Sequence, residues 1–469
     1  MDMDFKGKHV HLVGIGGAGL SAIARVLMGR GAVVSGSDLF LSPVAADLER
    51  DGVRVYMGHE AAHVDGAEMV LVSSAVPARN VEVQAARAMG IPVFRRAEFL
   101  GAMMDGYLGV AIAGTHGKTT TTAMVASILW EAGLDPTFIV GGMVSGMGTN
   151  ARAGAGPHFV IEADEYDRTF HGLKPQVAVV TNVEHDHPDC YATFADFKAA
   201  FRQFLANVPP DGVLVICWDH PAARELGEQR AAQGWPVITY GLEAGADWQA
   251  VDVRPNNAGG SDFLAIRHGH VLGLVRLRVP GRHNVANALA ALAVAEHLGV
   301  PFPTARSAMT SFRGVGRRFE IKGKVDGVTV VDDYAHHPTE IRATLAAVRE
   351  QFSNQPVWAV WQPHTYSRTR TLRLEFALAF DRADHVLVLP IYPARERDTL
   401  GISSADVVAE MRHPDARVVE SLEEAVVVLA TEVRFGEVVV TLSAGDGDRV
   451  GEWLLFALSE EDEDGDVAG

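Results

Sequence analysis

The sequence predicts an α/β protein of three domains, each organised around a sheet with crossover helices. Three observations predict it. Strand-like apolar runs alternate with helix-length segments along the chain. Two of these runs feed glycine-rich turns that open helices, at residues 14–19 and 114–119. A chain of 469 residues is also too long for one core and divides into roughly three units of about 150.

Composition narrows the partners. The chain is 48% apolar with a net charge of -18, which suits a globular protein and argues against nucleic acid, because polyanion binding needs clustered Lys and Arg. Part of that charge is local: EEDEDGD at 460–466 holds six acids, and 459–469 is expected to be a solvated, disordered tail. Cys190 and Cys217 lack CxxC spacing, so neither a disulfide framework nor a zinc site is expected, and a reducing, cytoplasmic compartment fits. The N-terminus lacks the plan of a signal peptide, and no apolar run nears the roughly 18 residues that span a bilayer, so no membrane insertion is expected.

The first block, 1–107, opens with a strand at 9–13 that leads into Gly14, Gly16, Gly17 and Gly19 and then a helical segment. This is a GxGxxG turn in strand-to-helix context, where glycines let an anion approach the free N–H groups of a helix start. A second strand ends at Asp38, 19 residues beyond Gly19, where a ribose-binding acid is expected. Taken alone the turn reads as dinucleotide binding, or as a turn serving only packing, and the glycines do not say which anion is held. Further strands are expected at 69–77, which carries Ser73 and Ser74, and at 91–95.

The second block, 108–318, begins GVAIAGTHGKTTTTAMV. A mononucleotide loop places a glycine five positions before the glycine of GK, but here that position is Ile112 and the nearest glycine is Gly114. The turn Gly114, Thr115, His116, Gly117, Lys118, Thr119 and Thr120 still has the parts of a phosphate cradle: backbone N–H groups, a lysine for terminal phosphoryl oxygens and a hydroxyl for magnesium. The stretch 158–168, HFVIEADEYDR, reads as an apolar strand that ends in Glu162, Asp164 and Glu165, and another strand, running through Thr181 and Asn182, delivers Glu184, His185, Asp186 and His187. These acids suit a metal site; local capping is the alternative. Asn284 and Asn287 share a face one turn apart at a helix start, and 314–320, GVGRRFE, suggests a hinge carrying cations.

The third block, 319–458, alternates again, and its strand ends supply Asp332, Asp333, His336, His337, His364, Arg368, Arg370 and Asp446. Ligands of open α/β sheets sit beyond the carboxyl ends of strands, so these groups are expected to line one cleft.

The run GIGGAG, GTHGKTTT, EADE, HDH, GRHNVANALAA, GRRFE, DDYAHHPTE and QPHTYSRT resembles the Mur ligases of bacterial cell-wall synthesis over almost the whole chain. In that family the nucleotide loop has the shorter GxxGK(T/S) form. GIGGAGLSAIA is similar to the members that join L-alanine to UDP-N-acetylmuramate. The resemblance implies a Rossmann-like N-terminal UDP-binding domain, a central P-loop-type ATPase domain and a Rossmann-like C-terminal domain that takes the amino acid. ATP and magnesium are the implied cofactors, and a cytoplasmic monomer or weak homodimer the implied state. Gly14, Gly16, Gly17, Gly19, Asp38, Ser73 and Ser74 would then hold the UDP-sugar. Lys118 matches the loop lysine, and Thr119, Glu162 and His187 match magnesium positions. Asn284, Asn287, Arg318 and Asp333 match positions acting on ATP, with Tyr334 at adenine. His336, His364 and Arg368 are similar to residues beside the amino-acid pocket. His336 or a nearby acid is the candidate base, and Arg368 a partner for the amino acid's carboxylate. The helix that carries a carbamoylated lysine in several relatives offers Phe201 or Arg202 here, and Thr365 stands where some members have a second arginine. An NAD-dependent oxidoreductase and a non-catalytic nucleotide sensor are the rival readings.

Overall fold

The structure, a computed structural model, describes residues 4–465, with side chains described as far as Ser459. Three sheets follow one another along the chain. The first comprises β1 (His9–Val13), β2 (Val33–Asp38), β3 (Arg54–Met57), β4 (Met69–Val72) and β5 (Val93–Arg95), all parallel in the order β3-β2-β1-β4-β5. The chain reverses its winding between β1 and β4, and the turn 14–19 leaves β1 at that switch point, where doubly wound sheets bind ligands. The strand expected at 69–77 stops at Val72, because residues 73–80 turn back before the helix Val81–Ala88.

The central sheet is larger and mixed. It comprises β6 (Leu108–Ala113), β7 (Thr137–Val144), β8 (Thr149–Arg152), β9 (His158–Glu162), β10 (Val177–Val180), β11 (Val213–Cys217), β12 (Val237–Gly241), β13 (Trp248–Pro255), β14 (Ser261–Arg267) and β15 (His270–Arg276). Its order is β15-β14-β13-β12-β11-β10-β6-β9-β7-β8, with β6 between β10 and β9 near the middle. β13, β14 and β15 form an antiparallel extension. The strand expected through Thr181 and Asn182 ends at Val180, and those two side chains turn back onto the glycine loop after β6. The helix Lys118–Glu131 that leaves the loop is buried almost throughout against the helix Arg282–His297, so beyond Thr119 and Thr120, which face the cavities at its start, its threonines and alanines are packing residues.

The third sheet, β16 (Glu320–Val325), β17 (Val328–Asp333), β18 (Val357–Trp361), β19 (His385–Val388), β20 (Ala416–Val418) and β21 (Val438–Leu442), is parallel except for the antiparallel edge strand β16. The last described helix runs Arg449–Gly465 and so takes in 459–465 of the segment expected as a disordered tail; the side chains of 460–465 and all of 466–469 lie outside the described residues. Among the described residues no helix is long and apolar enough to cross a membrane.

Core distribution is uneven. One apolar cluster runs without a break from the first sheet into the central one, joining Phe5, Leu12, Phe99 and Met103 to Phe159, Phe170 and Phe201. The third sheet has separate clusters on its two faces.

Candidate active site

The compact loop is held from outside. Gly114 (φ 138°) lies where a Cβ would meet Thr181 Oγ1, and Gly117 (φ 79°) where a Cβ would come 2.6 Å from Asn287 Oδ1. His116 N donates to Asn182 Oδ1 (2.8 Å), Thr181 Oγ1 donates to His116 O (2.5 Å), and Thr115 Oγ1 donates to Glu184 O (3.0 Å). The end of β10 thus does the bracing that two extra loop residues would do, and the turn still delivers its N–H groups to the helix start at Lys118.

Lys118 differs from a solvated loop lysine. Its side chain is 12% exposed, and Nζ donates to Gly114 O (2.6 Å), to Thr115 O (3.0 Å) and to Glu165 Oε1 (2.9 Å). Burial alone would lower its pKa, but the carboxylates of Glu165, Glu162 and Asp164 outweigh that and hold it above the ordinary value. The ammonium is therefore parked on a carboxylate beside the anion seat.

Two cavities of about 380 Å³ each flank the loop. The first is lined by His116, Gly117, Thr120, Asn284, Asn287, Arg318 and Asp333, together with Tyr240, Leu242, Phe319 and Glu340. Asn287 Nδ2 donates to Asn284 Oδ1 (3.2 Å), so the two amides do share one face. Asp333 accepts from Phe319 N and Ala335 N, both at 2.8 Å, and burial pushes its pKa up to about 7 against the opposing charge of Arg318.

The second cavity is lined by Lys118, Thr119, Glu162, Glu165, Asp186, His187, Arg318, Tyr334, His336, His364, Thr365, Arg368 and Arg395. The structure thus brings the phosphate loop, both acid clusters and the C-terminal histidines onto one space. Tyr334 stands on this second wall, with the Arg317 and Arg318 guanidinium carbons 5.1 and 4.9 Å from its ring centroid; the aromatic residues on the first wall are Tyr240 and Phe319. His336 Nδ1 lies 2.9 Å from Tyr334 O, and burial lowers its pKa to about 4 despite Glu340. It is neutral near pH 7, and with Nδ1 donating to that carbonyl, Nε2 is left as the acceptor.

A magnesium ion fits the hard oxygens present. Glu162 Oε2 accepts from Gly141 N (2.9 Å), and a Cβ added at Gly141 would lie 2.5 Å from that oxygen and 3.1 Å from Thr119 Oγ1. Glycine keeps this cradle open between a hydroxyl and a carboxylate, the donor set magnesium prefers. His187, in the left-handed region (φ 53°), sits with Nε2 3.4 Å from Glu165 Oε1. On the helix Phe194–Leu205, Phe201 is buried in the core and Arg202 is exposed, so neither position offers a lysine to the site.

The first-sheet turn lies apart from these cavities. Gly14 (φ 91°) abuts Ser73, Gly16 N donates to Asp38 Oδ2 (2.8 Å), and Ser74 is exposed. A Cβ at Gly19 would lie 3.0 Å from the Arg96 guanidinium, which in turn pairs with Asp164 (3.1 Å) of the central domain. Arg96 had no expected role; its sequence signal is a basic pair at the end of β5.

Glu340 was also missed. His116 Nδ1 lies 3.1 Å from Glu340 Oε1, while His336 N and His337 N donate to Oε2 at 3.0 and 3.2 Å. Glu184 accepts from Thr339 Oγ1 (2.6 Å) and lies 3.4 Å from His116 Nε2. Burial disfavours the charged imidazole, but Glu340 and Glu184 outweigh it and raise His116 to about 9. Arg368 Nε donates to Asp186 Oδ1 (2.7 Å) in a pair 4% and 3% exposed. Glu340 follows His337 at capping-box spacing, the signal that marked it as structural.

Comparison with known proteins agrees with this arrangement. Residues 9–108 match the Mur ligase family catalytic domain, 112–295 the Mur ligase middle domain and 317–445 the Mur ligase glutamate ligase domain. The UDP-N-acetylmuramate--L-alanine ligase of Frankia casuarinae is 44% identical over 96% of this chain and 98% of its own. That of Paenarthrobacter aurescens is 46% identical over 96% and 97%. Among solved structures, the UDP-N-acetylmuramate-alanine ligase of Thermotoga maritima superposes with a TM-score of 0.81 at 29% identity, covering 97% of this chain and 99% of that one. A murein peptide ligase from Psychrobacter arcticus gives 0.71 at 28%, covering 96% and 99%. With domain matches along nearly its whole length and relatives above 40% identity end to end, the chain belongs to the Mur ligase family.

Proposed function

We propose that the protein joins L-alanine to the carboxylate of UDP-N-acetylmuramate, driven by ATP, in peptidoglycan precursor synthesis. One observation carries the reading: the phosphate loop of the central domain and the polar wall of the C-terminal domain face a single cavity, where a carboxylate, a γ-phosphoryl group and an amine can meet. The names of the relatives supply the substrates. In this reading 1–107 hold the UDP-sugar, 108–318 hold ATP and 319–458 bring the amino acid.

A carboxylate is a poor acylating agent until one of its oxygens takes the γ-phosphoryl group and ADP leaves. The loop N–H groups and Lys118 meet the charge on the transferring group, and Arg318, on the walls of both cavities, meets it from the other side. Thr119, Glu162 and His187 would hold magnesium, which when bound supplies Lewis-acid charge to phosphoryl oxygens. The amine then attacks the acyl carbon and phosphate departs. His336 Nε2, a neutral acceptor on the wall, takes the proton that the amine loses. Closure of the C-terminal domain over the loop keeps water from the acyl phosphate. The enzyme would work in the cytoplasm as a monomer or weak homodimer.

Phosphate release with UDP-N-acetylmuramate, measured across the common amino acids and a tripeptide, tests this. L-Alanine should be fastest, glycine and L-serine slow, and NAD without effect, since one methylene is worth only about 1–3 kcal/mol. Faster release with D-glutamate or the tripeptide overturns the substrate assignment. No release with any amine returns the protein to a binding role.

A further inference from the structure

The cation expected to receive the amino acid's carboxylate is already engaged. Arg368 Nε donates to Asp186, Nη1 lies 3.0 Å from His364 Nδ1 and donates to His364 O (3.2 Å), and the side chain is 4% exposed. A guanidinium neutralised by a buried carboxylate brings no net charge to a second anion. Thr365 beside it brings none, and Lys118 is matched by Glu165.

Arg395, on the same cavity wall, is different. It is exposed, and its guanidinium carbon rests 4.9 Å from the ring centroid of Tyr166, a central-domain residue. The turn that carries it is stitched to the segment bearing Arg368. Tyr392 N donates to Pro363 O (2.8 Å), Thr365 N to Tyr392 O (2.9 Å), and Ser367 N to Glu396 Oε2 (3.0 Å). Between these stitches Ala394 is held in the left-handed region (φ 51°), a conformation that alanine adopts only when its surroundings impose it.

We propose that Arg395 receives the α-carboxylate of the incoming amino acid and so helps set the enzyme's preference for a free amino acid. This rests on the ligase reading above. The planar fork matches a carboxylate, and the Tyr166 face holds that plane while leaving its N–H edges free to donate. Because Tyr166 belongs to the opposite domain, the cation is oriented only when the two domains meet, which ties amino-acid binding to closure.

The test is steady-state kinetics of Arg395→Gln and Arg395→Lys, with L-alanine and with L-alaninamide, which lacks the carboxylate. Arg395→Gln should raise the KM for L-alanine about 10- to 100-fold, the value of one lost charged hydrogen-bond partner, with the KM values for ATP and UDP-N-acetylmuramate within twofold of the parent. Arg395→Lys should recover part of the loss, any turnover of L-alaninamide should be unchanged in both variants, and Arg397→Gln, two residues along, should behave as the parent. A KM for L-alanine unchanged in Arg395→Gln overturns the assignment, and so does an equal loss with alanine and the amide. A parent enzyme that releases no phosphate with L-alanine instead sinks the ligase reading itself.

Discussion

The two seams of the molecule are built from opposite materials. Between the first and central sheets the contact is mainly apolar and close, with the Arg96–Asp164 ion pair at its edge. A Cβ at Gly172 would approach Ala97 O to 2.1 Å, and one at Gly101 would approach Gly172 O to 2.2 Å, so two backbones touch where only glycine fits. The Arg30 guanidinium carbon lies 5.7 Å from the ring centroid of Phe159 across the seam. Between the central and C-terminal sheets the contact is polar: His116 to Glu340, Thr339 to Glu184, Arg368 to Asp186. Apolar contacts part only at the cost of exposing surface, whereas buried ions regain hydration when they separate. The first seam is therefore a fixed joint and the second one that opens, which is what an enzyme needs if it must admit an amino acid and then exclude water.

The largest expected effect falls on the opening seam. Lys118→Ala should cut turnover by about 10²- to 10³-fold, since one preorganised contact to developing charge is worth about 3–4 kcal/mol. The fold should survive with a lowered melting temperature, because Glu165 loses its buried ammonium and, among the described residues, keeps the His187 ring 3.4 Å away. Near-normal turnover in a variant folded by circular dichroism would remove the loop from the mechanism. Next in size, Gly172→Ala should destabilise the fixed seam by about 3 kcal/mol through overpacking against backbone, read by urea denaturation. A smaller loss there means that the seam yields and the contrast fails.

Asp186→Asn sharpens the comparison further. In a welded interface, stranding buried Arg368 costs about 3–5 kcal/mol. Here the domains should separate instead, so unfolding stability should change by less than about 1 kcal/mol while small-angle scattering shows an expanded free enzyme and activity falls. A full stability loss without expansion would make this seam as fixed as the first. The smallest effect is with pH. His116 has a folded value of about 9 against an ordinary 6.5, so its stabilising contribution is complete below 6.5 and is lost as pH rises through 9. Scattering from pH 7 to 10 should show progressive opening that His116→Gln abolishes; equal profiles for parent and variant exclude His116 as the tie.

Sequence carried the parts of the site whose chemistry is local. Both glycine turns, the acid clusters after β9 and β10 and the paired asparagines stand where their spacing placed them, because each is fixed by a strand end feeding a helix. What was not legible is pairing across distance. Arg96 meets Asp164, His116 meets Glu340, and Arg368 is claimed by Asp186 from another domain. The pairing of Lys118 was hidden for the same reason: a loop motif names the cation but not the carboxylate, 47 residues on, that holds it before a phosphate arrives.

The shared core of the first two sheets also constrains how the chain is made. Phe99, Leu100, Met103 and Met104 are buried in a cluster whose other half is supplied by Phe159, Phe170, Phe197, Phe201 and Phe204. During synthesis the opening hundred residues leave the ribosome with that face bare, and its cover emerges only after about another hundred, several seconds later at bacterial elongation rates of roughly 5–20 residues per second. The N-terminal sheet is thus a late finisher despite being first made, and for those seconds its exposed aromatic and methionine surface is what a nascent-chain chaperone would meet.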